Sequence, residues 1–473
     1  MSIMVSLLRF RFWRVIAVAA RCGTLAAGLS TLIAVPATAQ LIGNPLEIPG
    51  QIGRDIGRTV PDDRGLRDRV EDVAETVEEE VDAGIESVEE TADTAVDAVE
   101  DIVAAALEVF ADGADPSGQR IEREVWVVLV PAEHADQIPG WGFTIRERRD
   151  LEGLDLVMIR IDAPEERGMR ETELDLDRNA PGTVVDFNHI YGAGADEPRP
   201  EAGTFAANAS SVDEPRADTG DATPTAGAAL AVGVIDSAVA QSHEALHGIE
   251  LVQEDFVPFE GERPTRHGTA VASILVESAK MSAAGALRLY VASVFFTDEG
   301  NETIATTGSL VAALEWLGGY EVGVINMSLT GPPNRVLEAA LAAVAKRNVV
   351  VVAAVGNEGP ASKPLYPAAY DTVVGITAVD SENRIYRHAN RGEQVAFAAL
   401  GVRAKVAKGD GGYGRETGTS MAAPVAAVII ARALAVETAP SSEVLTELQR
   451  TAVDLGERGF DPVYGFGLIT PIH

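Results

Sequence analysis

The sequence predicts an α/β protein. Its C-terminal half reads as a doubly wound, mostly parallel sheet, preceded by a small α+β unit and an acidic helical segment. Three observations carry this. Residues 228–473 alternate near-continuous apolar runs with helical stretches. Residues 116–194 hold β-branched runs around one helical stretch. Residues 70–110 contain fifteen Asp and Glu and no Lys or Arg. At 473 residues the chain exceeds one average core, so two or three domains are expected. The formal net charge of −34 argues against nucleic acid as a partner, because phosphate binding needs a basic face.

The first 39 residues read as a signal peptide. Arg9, Arg11, Arg14 and Arg21 precede an apolar run from Cys22 to Val35, and Ala37-Thr38-Ala39 is a small-x-small cleavage pattern. That run falls short of the roughly 20 residues a membrane span needs. Export, to periplasm or medium, follows as the expectation. Cys22 is the only cysteine, so the mature chain has none and no disulfide framework is expected.

Residues 40–115 form the acidic segment. Val70, Val73, Val77, Val81, Ile85 and Val88 recur at steps of three and four, one stripe of a long helix. Like charges at i and i+4 weaken such a helix alone. Two readings stay open: an arm that docks on a partner or self-associates through 70–110, or an acidic spacer. In 116–194, "EVWVVLV" (124–130), "LDLVMIRID" (154–162) and "TVVDFNHIY" (183–191) read as strands, with "APEERGMRETELDL" as a helix before the third. Residues 195–227, in a stretch rich in Gly, Pro, Ala and acids that begins at 192, read as an exposed linker.

From 228 onward, "AALAVGVID", "LRLYVASVF", "VGVINMSL" and "NVVVVAAVGN" have the composition of parallel strands buried on both faces. Between them lie "GTAVASILVESA", "GSLVAALEWLGG" and "RVLEAALAAVAK", which read as helices. In such a sheet, reactive groups gather at the carboxyl ends of strands and the amino ends of the following helices. Asp236 ends one strand, His267 opens a helix, Asn357 follows a strand and Ser420 opens the helix "GTSMAAPVAAVIIARAL". A serine hydroxyl needs an adjacent base to act as nucleophile. His267 supplies one, and a buried Asp236 would fix its tautomer. The Asn357 amide and the Ser420 N–H are donors for an oxyanion. Taken singly, each residue has a plain structural reading as a cap, turn or satisfied histidine; taken together, the four point to acyl transfer.

A second chemistry is written into the same region. His243-Glu244-Ala245-Leu246-His247 matches H-E-x-x-H, the helix signature of zinc proteases. It lacks the extended third-ligand pattern and falls just after Asp236, on the expected strand-to-helix connection. Coincidence is therefore expected.

The blocks "VGVIDSAV", "HGTAVAS", "VINMSLTGP", "AAVGNEG", "YPAAYDTVVGITAVD", "GTSMAAPVAA" and "VYGFGLI" follow one another across the C-terminal half. In content, order and spacing the chain resembles the subtilisin-like serine proteases (subtilases, peptidase S8 family). The resemblance implies a subtilisin-like fold for 228–473, a serine endopeptidase acting on protein or peptide, and Asp236, His267 and Ser420 as triad with Asn357 as oxyanion donor. It implies that Ser328-Leu329-Thr330-Gly331 binds extended substrate by main-chain hydrogen bonds. It also implies that 116–194 is a ferredoxin-like propeptide, in contact with the catalytic domain and cut from it within the linker. Thr330 stands where relatives usually carry glycine, so a narrower pocket is expected there. The aspartate is followed by Ser237-Ala238 where Thr-Gly is common. No cofactor and no metal ligands are expected; the Asn-rich loop of calcium-stabilised relatives has no counterpart. The alternatives are a catalytically silent binding protein on this scaffold and a zinc metalloprotease.

Overall fold

The computed structural model describes residues 111–162, 168–193, 229–259, 263–281, 286–298, 300–437 and 439–471. The expected signal peptide, the acidic segment up to 110 and the linker 195–227 lie outside the described residues.

The C-terminal part is built on seven strands: β6 (Leu230–Asp236), β7 (Glu250–Asp255), β8 (Leu287–Ser293), β11 (Val324–Met327), β12 (Val350–Ala354), β13 (Val373–Val379) and β14 (Phe397–Leu400). They lie in the order β14-β13-β12-β11-β6-β8-β7, and every pairing is parallel. Helices cover both faces, which is why the central strands read as unbroken apolar runs. Residues of α2 (Arg266–Met281) and α5 (Thr419–Val436) share a core with one face, those of α3 (Thr307–Gly318) and α4 (Arg335–Lys346) with the other. After β6 the chain builds β7 and β8 to one side, then crosses to β11 on the other. The carboxyl end of β6, where Asp236 stands, is thus a topological switch point, the place where open α/β sheets hold their sites.

The N-terminal unit comprises β1 (Asp112–Ala114), β2 (Arg120–Pro131), β3 (Ile145–Leu151), β4 (Leu156–Asp162), α1 (Met169–Asn179) and β5 (Val184–Gly192). Its sheet is antiparallel in the order β3-β4-β2-β5. Two features differ from the sequence expectation. Asp112–Ala114, assigned to the acidic segment, forms a strand against β2. "IRERRDL" forms β3, which alternation of charged residues on an open face concealed.

This sheet does not stop at β5. It continues through β10 (Thr303–Thr306) and β9 (Phe296–Thr297) of the C-terminal part. Val127, Leu129, Met158 and Tyr191 share one core with Leu310, Leu314, Leu337 and Leu341 of α3 and α4. Two side chains of β5 also cap those helices. Asn188 Oδ1 accepts the Gly308 N–H (2.9 Å) and Asp186 Oδ2 accepts the Arg335 N–H (2.8 Å). Such first-turn N–H groups have no acceptor within their own helix, and a carboxylate there meets the positive end of the helix dipole.

At the rim, Arg120 donates to Asp298 (2.8 Å) and Glu302 (2.6 Å). Burial works to raise the Asp298 carboxyl, but the Arg120 hydrogen bond and the Glu302 N–H hold it below its ordinary value. A lowered carboxylate contributes stability above its unfolded value and loses it as pH falls through the lowered one, so this contact weakens only in acid.

Candidate active site

Asp236 is the last residue of β6 and fully buried. Its Oδ1 accepts the Ser237 N–H (2.7 Å) and lies 2.8 Å from Nδ1 of His267, the second residue of α2. A carboxylate only accepts, so the proton sits on Nδ1 and the lone pair of the neutral ring is left on Nε2.

The start of α2 is held against β6 by a close backbone approach. The Gly268 N–H donates to Ser237 Oγ (2.8 Å), and a Cβ at Gly268 would lie 2.2 Å from the Ser237 carbonyl oxygen. Glycine is the residue that permits this. Gly268→Ala is expected to push the helix start away, costing about 1–3 kcal/mol of stability. It should lower kcat by roughly 10²-fold through misplacement of His267. Thermal melting and initial rates on one peptide substrate measure the two effects separately.

Ser420 is the second residue of α5 and almost fully buried. Its Oγ has no hydrogen-bond partner among the described residues. Its N–H belongs to the first turn, where helix N–H groups have no acceptor within the helix. Its carbonyl faces Pro424, which has no N–H to give it. Ser328 Oγ donates there instead (3.0 Å). The proline in "GTSMAAP" thereby leaves an acceptor that ties segment 328–331 to the serine.

Asn357 follows β12. Its Oδ1 accepts both the Thr419 N–H (3.0 Å) and the Thr419 hydroxyl (3.1 Å). A backbone N–H only donates, so the amide oxygen must face Thr419, and the Nδ2 donors turn the other way. His267, Asn357, Gly418 and Ser420 line one cleft of about 890 Å³, together with Leu365, Ile190, Gly192 and Ala193.

The segment Ser328–Gly331 is occupied. Gly192, the last residue of β5, accepts from the Thr330 N–H (3.0 Å) and donates to its carbonyl (2.8 Å). On its other side Gly192 stands opposite Ile304 of β10. The end of β5 therefore lies as a middle strand between β10 and Thr330. Tyr191 is fully buried beside it, its Oη donating to the Pro332 carbonyl (3.1 Å). A Cβ at Gly331 would lie 2.3 Å from the Tyr191 ring, so glycine makes that seat. Burial drives the Tyr191 phenol well above its ordinary pKa. Leu329 is buried in the core below.

Of the four residues singled out from the sequence at strand and helix ends, His267, Asn357 and Ser420 thus line one cleft, and Asp236 is buried behind it against His267. Pattern reading did not find Ser237, Gly268, Thr419 or Leu365, whose roles come from contacts between distant segments. Thr330, where a narrower pocket was expected, is not among the residues lining the cleft, and Leu365 is. In the H-E-x-x-H stretch, Glu244–Leu246 is a single 3-10 turn, not an α-helix. His243 Nδ1 accepts the Ala245 N–H (3.1 Å) and Nε2 donates to the Gly412 carbonyl (2.8 Å). Both ring nitrogens are engaged, so no lone pair is left for a metal.

A family model, that of the subtilase family (Peptidase S8), matches residues 227–467. Subtilisin DY of Bacillus licheniformis is 32% identical over 269 residues, covering 54% of this chain and 93% of that protein. The subtilisin of Bacillus pumilus is 31% identical over 256 residues, covering 51% and 90%. Among solved structures, the prenylagaramide maturation protease PagA shares 25% identity at a TM-score of 0.44, covering 52% of this chain and 92% of that one.

Proposed function

The chain belongs to the subtilase family of serine peptidases, and on that premise we propose that it is an exported serine endopeptidase made as a precursor. Asp236, His267 and Ser420 are its triad and Asn357 its oxyanion donor. The observation that carries this reading is the 2.8 Å contact from buried Asp236 to His267 in the same cleft as Ser420 and Asn357.

Ser420 Oγ attacks the scissile carbonyl carbon as its proton passes to His267 Nε2. Asp236 stays ionised and stabilises the imidazolium through Nδ1. The carbonyl oxygen, now an anion, is met by Asn357 Nδ2 and the Ser420 N–H, donors already oriented before reaction. When the C–N bond breaks, the imidazolium proton leaves with the amine. Water then repeats the sequence on the acyl-enzyme and releases the acid.

Residues 116–194 act as the propeptide in this reading. Three observations support it: the strand order of the N-terminal unit is that of a ferredoxin-like unit, β5 caps α3 and α4, and the end of β5 lies along Thr330 as substrate would. A unit seated this way assists folding of the helices it caps and blocks the cleft until the connection is cut. The Arg-flanked apolar run at the N-terminus supports export.

Intact mass of residues 40–473 and of its Ser420→Ala variant, after incubation at neutral pH, tests the reading. The native sequence is expected to split within 192–227 while Ser420→Ala stays whole. If both stay whole, a silent scaffold is favoured. If both split alike, the serine is not the agent.

A further inference from the structure

The end of β5 supplies a ruler for the cleft. Gly192 exchanges both backbone hydrogen bonds with Thr330. Across an antiparallel contact each step forward on one strand is a step back on the other. A guest continued two residues beyond the Gly192 position therefore stands opposite Ser328. Ser328 Oγ is bonded to the Ser420 carbonyl (3.0 Å). The guest residue opposite Ser328 is thus the one whose carbonyl meets the nucleophile.

The wall at that point is specific. For the oxyanion to reach Asn357 Nδ2, the guest carbonyl must lie beside Asn357. The Cα is one bond from that carbon, so the side chain starts next to Asn357, whose chain neighbour is Gly356. Leu365 holds that space. It lines the cleft, and its Cδ1 lies 2.7 Å from where a Cβ on Gly356 would be. The segment cannot swing aside freely, because Tyr366 and Gly331 exchange backbone hydrogen bonds of 2.8 and 3.0 Å.

We infer that this site accepts a small residue, glycine or alanine, immediately before the bond it cuts, and that Leu365 sets the limit. The inference rests on the serine-peptidase reading above. A branched or aromatic side chain would have to displace Leu365 from the wall, whereas glycine and alanine need no rearrangement.

Internally quenched peptides Tyr-Gly-Ala-Xaa-Ala-Asp, which copy residues 191–196 with Xaa as Gly, Ala, Leu or Phe, provide the test. They are assayed with the processed enzyme and its Leu365→Gly and Leu365→Ala variants, and an organophosphate that needs only the nucleophile counts competent sites in each. The native enzyme is expected to favour Gly or Ala over Phe by roughly 10²-fold in kcat/KM. Leu365→Gly should shrink that ratio by about tenfold or more, chiefly by raising the rate on Phe, with Leu365→Ala between. A native preference for Leu or Phe, or a ratio that neither variant moves, overturns the inference while organophosphate labelling of Ser420 keeps the serine reading in place. Failure of Ser420 to label overturns the serine reading itself.

Discussion

His267→Ala lowers kcat by about 10⁶-fold, the scale expected when the base of a serine triad is lost. The argument rests on the contact chain at the end of β6. Asp236 is fully buried and hydrogen-bonds His267 Nδ1 at 2.8 Å, so Nε2 is the basic nitrogen, and no other histidine lines this cleft among the described residues. The double variant His267→Ala/Ser420→Ala should lose no more than either single one, because base and nucleophile act in one step. A residual acceleration of about 10³–10⁴ over water should remain from the oxyanion donors and binding. Single-turnover kinetics on one quenched peptide measure all three. Losses that multiply in the double variant would mean that His267 and Ser420 act independently, which this mechanism does not allow. The substitution also takes the imidazole donor away from the buried Asp236 carboxylate, and leaving a buried acceptor short of its partner costs about 1–3 kcal/mol. His267→Gln, whose amide can still donate to Asp236, serves as the folded control with the same kinetic defect.

Asn357→Ala is the second large effect, about 10²–10³-fold in kcat with little change in KM. The reason is one of timing. In the proposed mechanism the Nδ2 donors meet charge that exists only after attack, so their loss would raise the barrier without weakening the bound substrate. Thr419 adds a separate signature. Its N–H and hydroxyl both donate to Asn357 Oδ1, and removing that acceptor from a buried donor costs about 1–3 kcal/mol. A lower melting temperature should accompany the kinetic loss. Asn357→Asp keeps the acceptor for Thr419 but places an anion where the oxyanion forms, so it should restore the melting temperature and leave kcat low. If KM rises while kcat holds, Asn357 binds substrate and is not an oxyanion donor.

The occupied cleft bears on how both experiments are read. The end of β5 lies between β10 and Thr330, with Tyr191 buried against Gly331. An enzyme that has not shed this unit would be slow whatever the state of Asp236, His267 and Ser420. If the chain is a precursor, as proposed, rates are compared on the processed form, with competent sites counted by organophosphate titration.

Much of this architecture was legible in the residues. "VVVVAA" and "VGVID" are unbroken apolar runs because helices cover both faces of the sheet, and a doubly covered sheet admits no polar alternation. Asp236, His267, Asn357 and Ser420 stood at strand and helix ends, the positions where such a sheet holds its chemistry. The α+β unit was half legible. Its apolar strands were recognisable, while β3, with charges alternating on an open face, was not. H-E-x-x-H was expected to be coincidence, and the chain makes one 3-10 turn there where the motif needs an α-helix.

By itself the sequence determined most element types and their order, and it marked the candidate reactive residues at strand and helix ends, because periodicity and local composition decide which segments become strands or helices and where they end. Only the tertiary structure decided that Pro424 leaves a carbonyl for Ser328, that Thr419 orients Asn357, that Gly192 pairs with Thr330, and that Leu365 rather than Thr330 lines the cleft. Each of these joins segments far apart in the chain. Their meeting depends on packing and strand register, which leave no periodic mark in either segment alone.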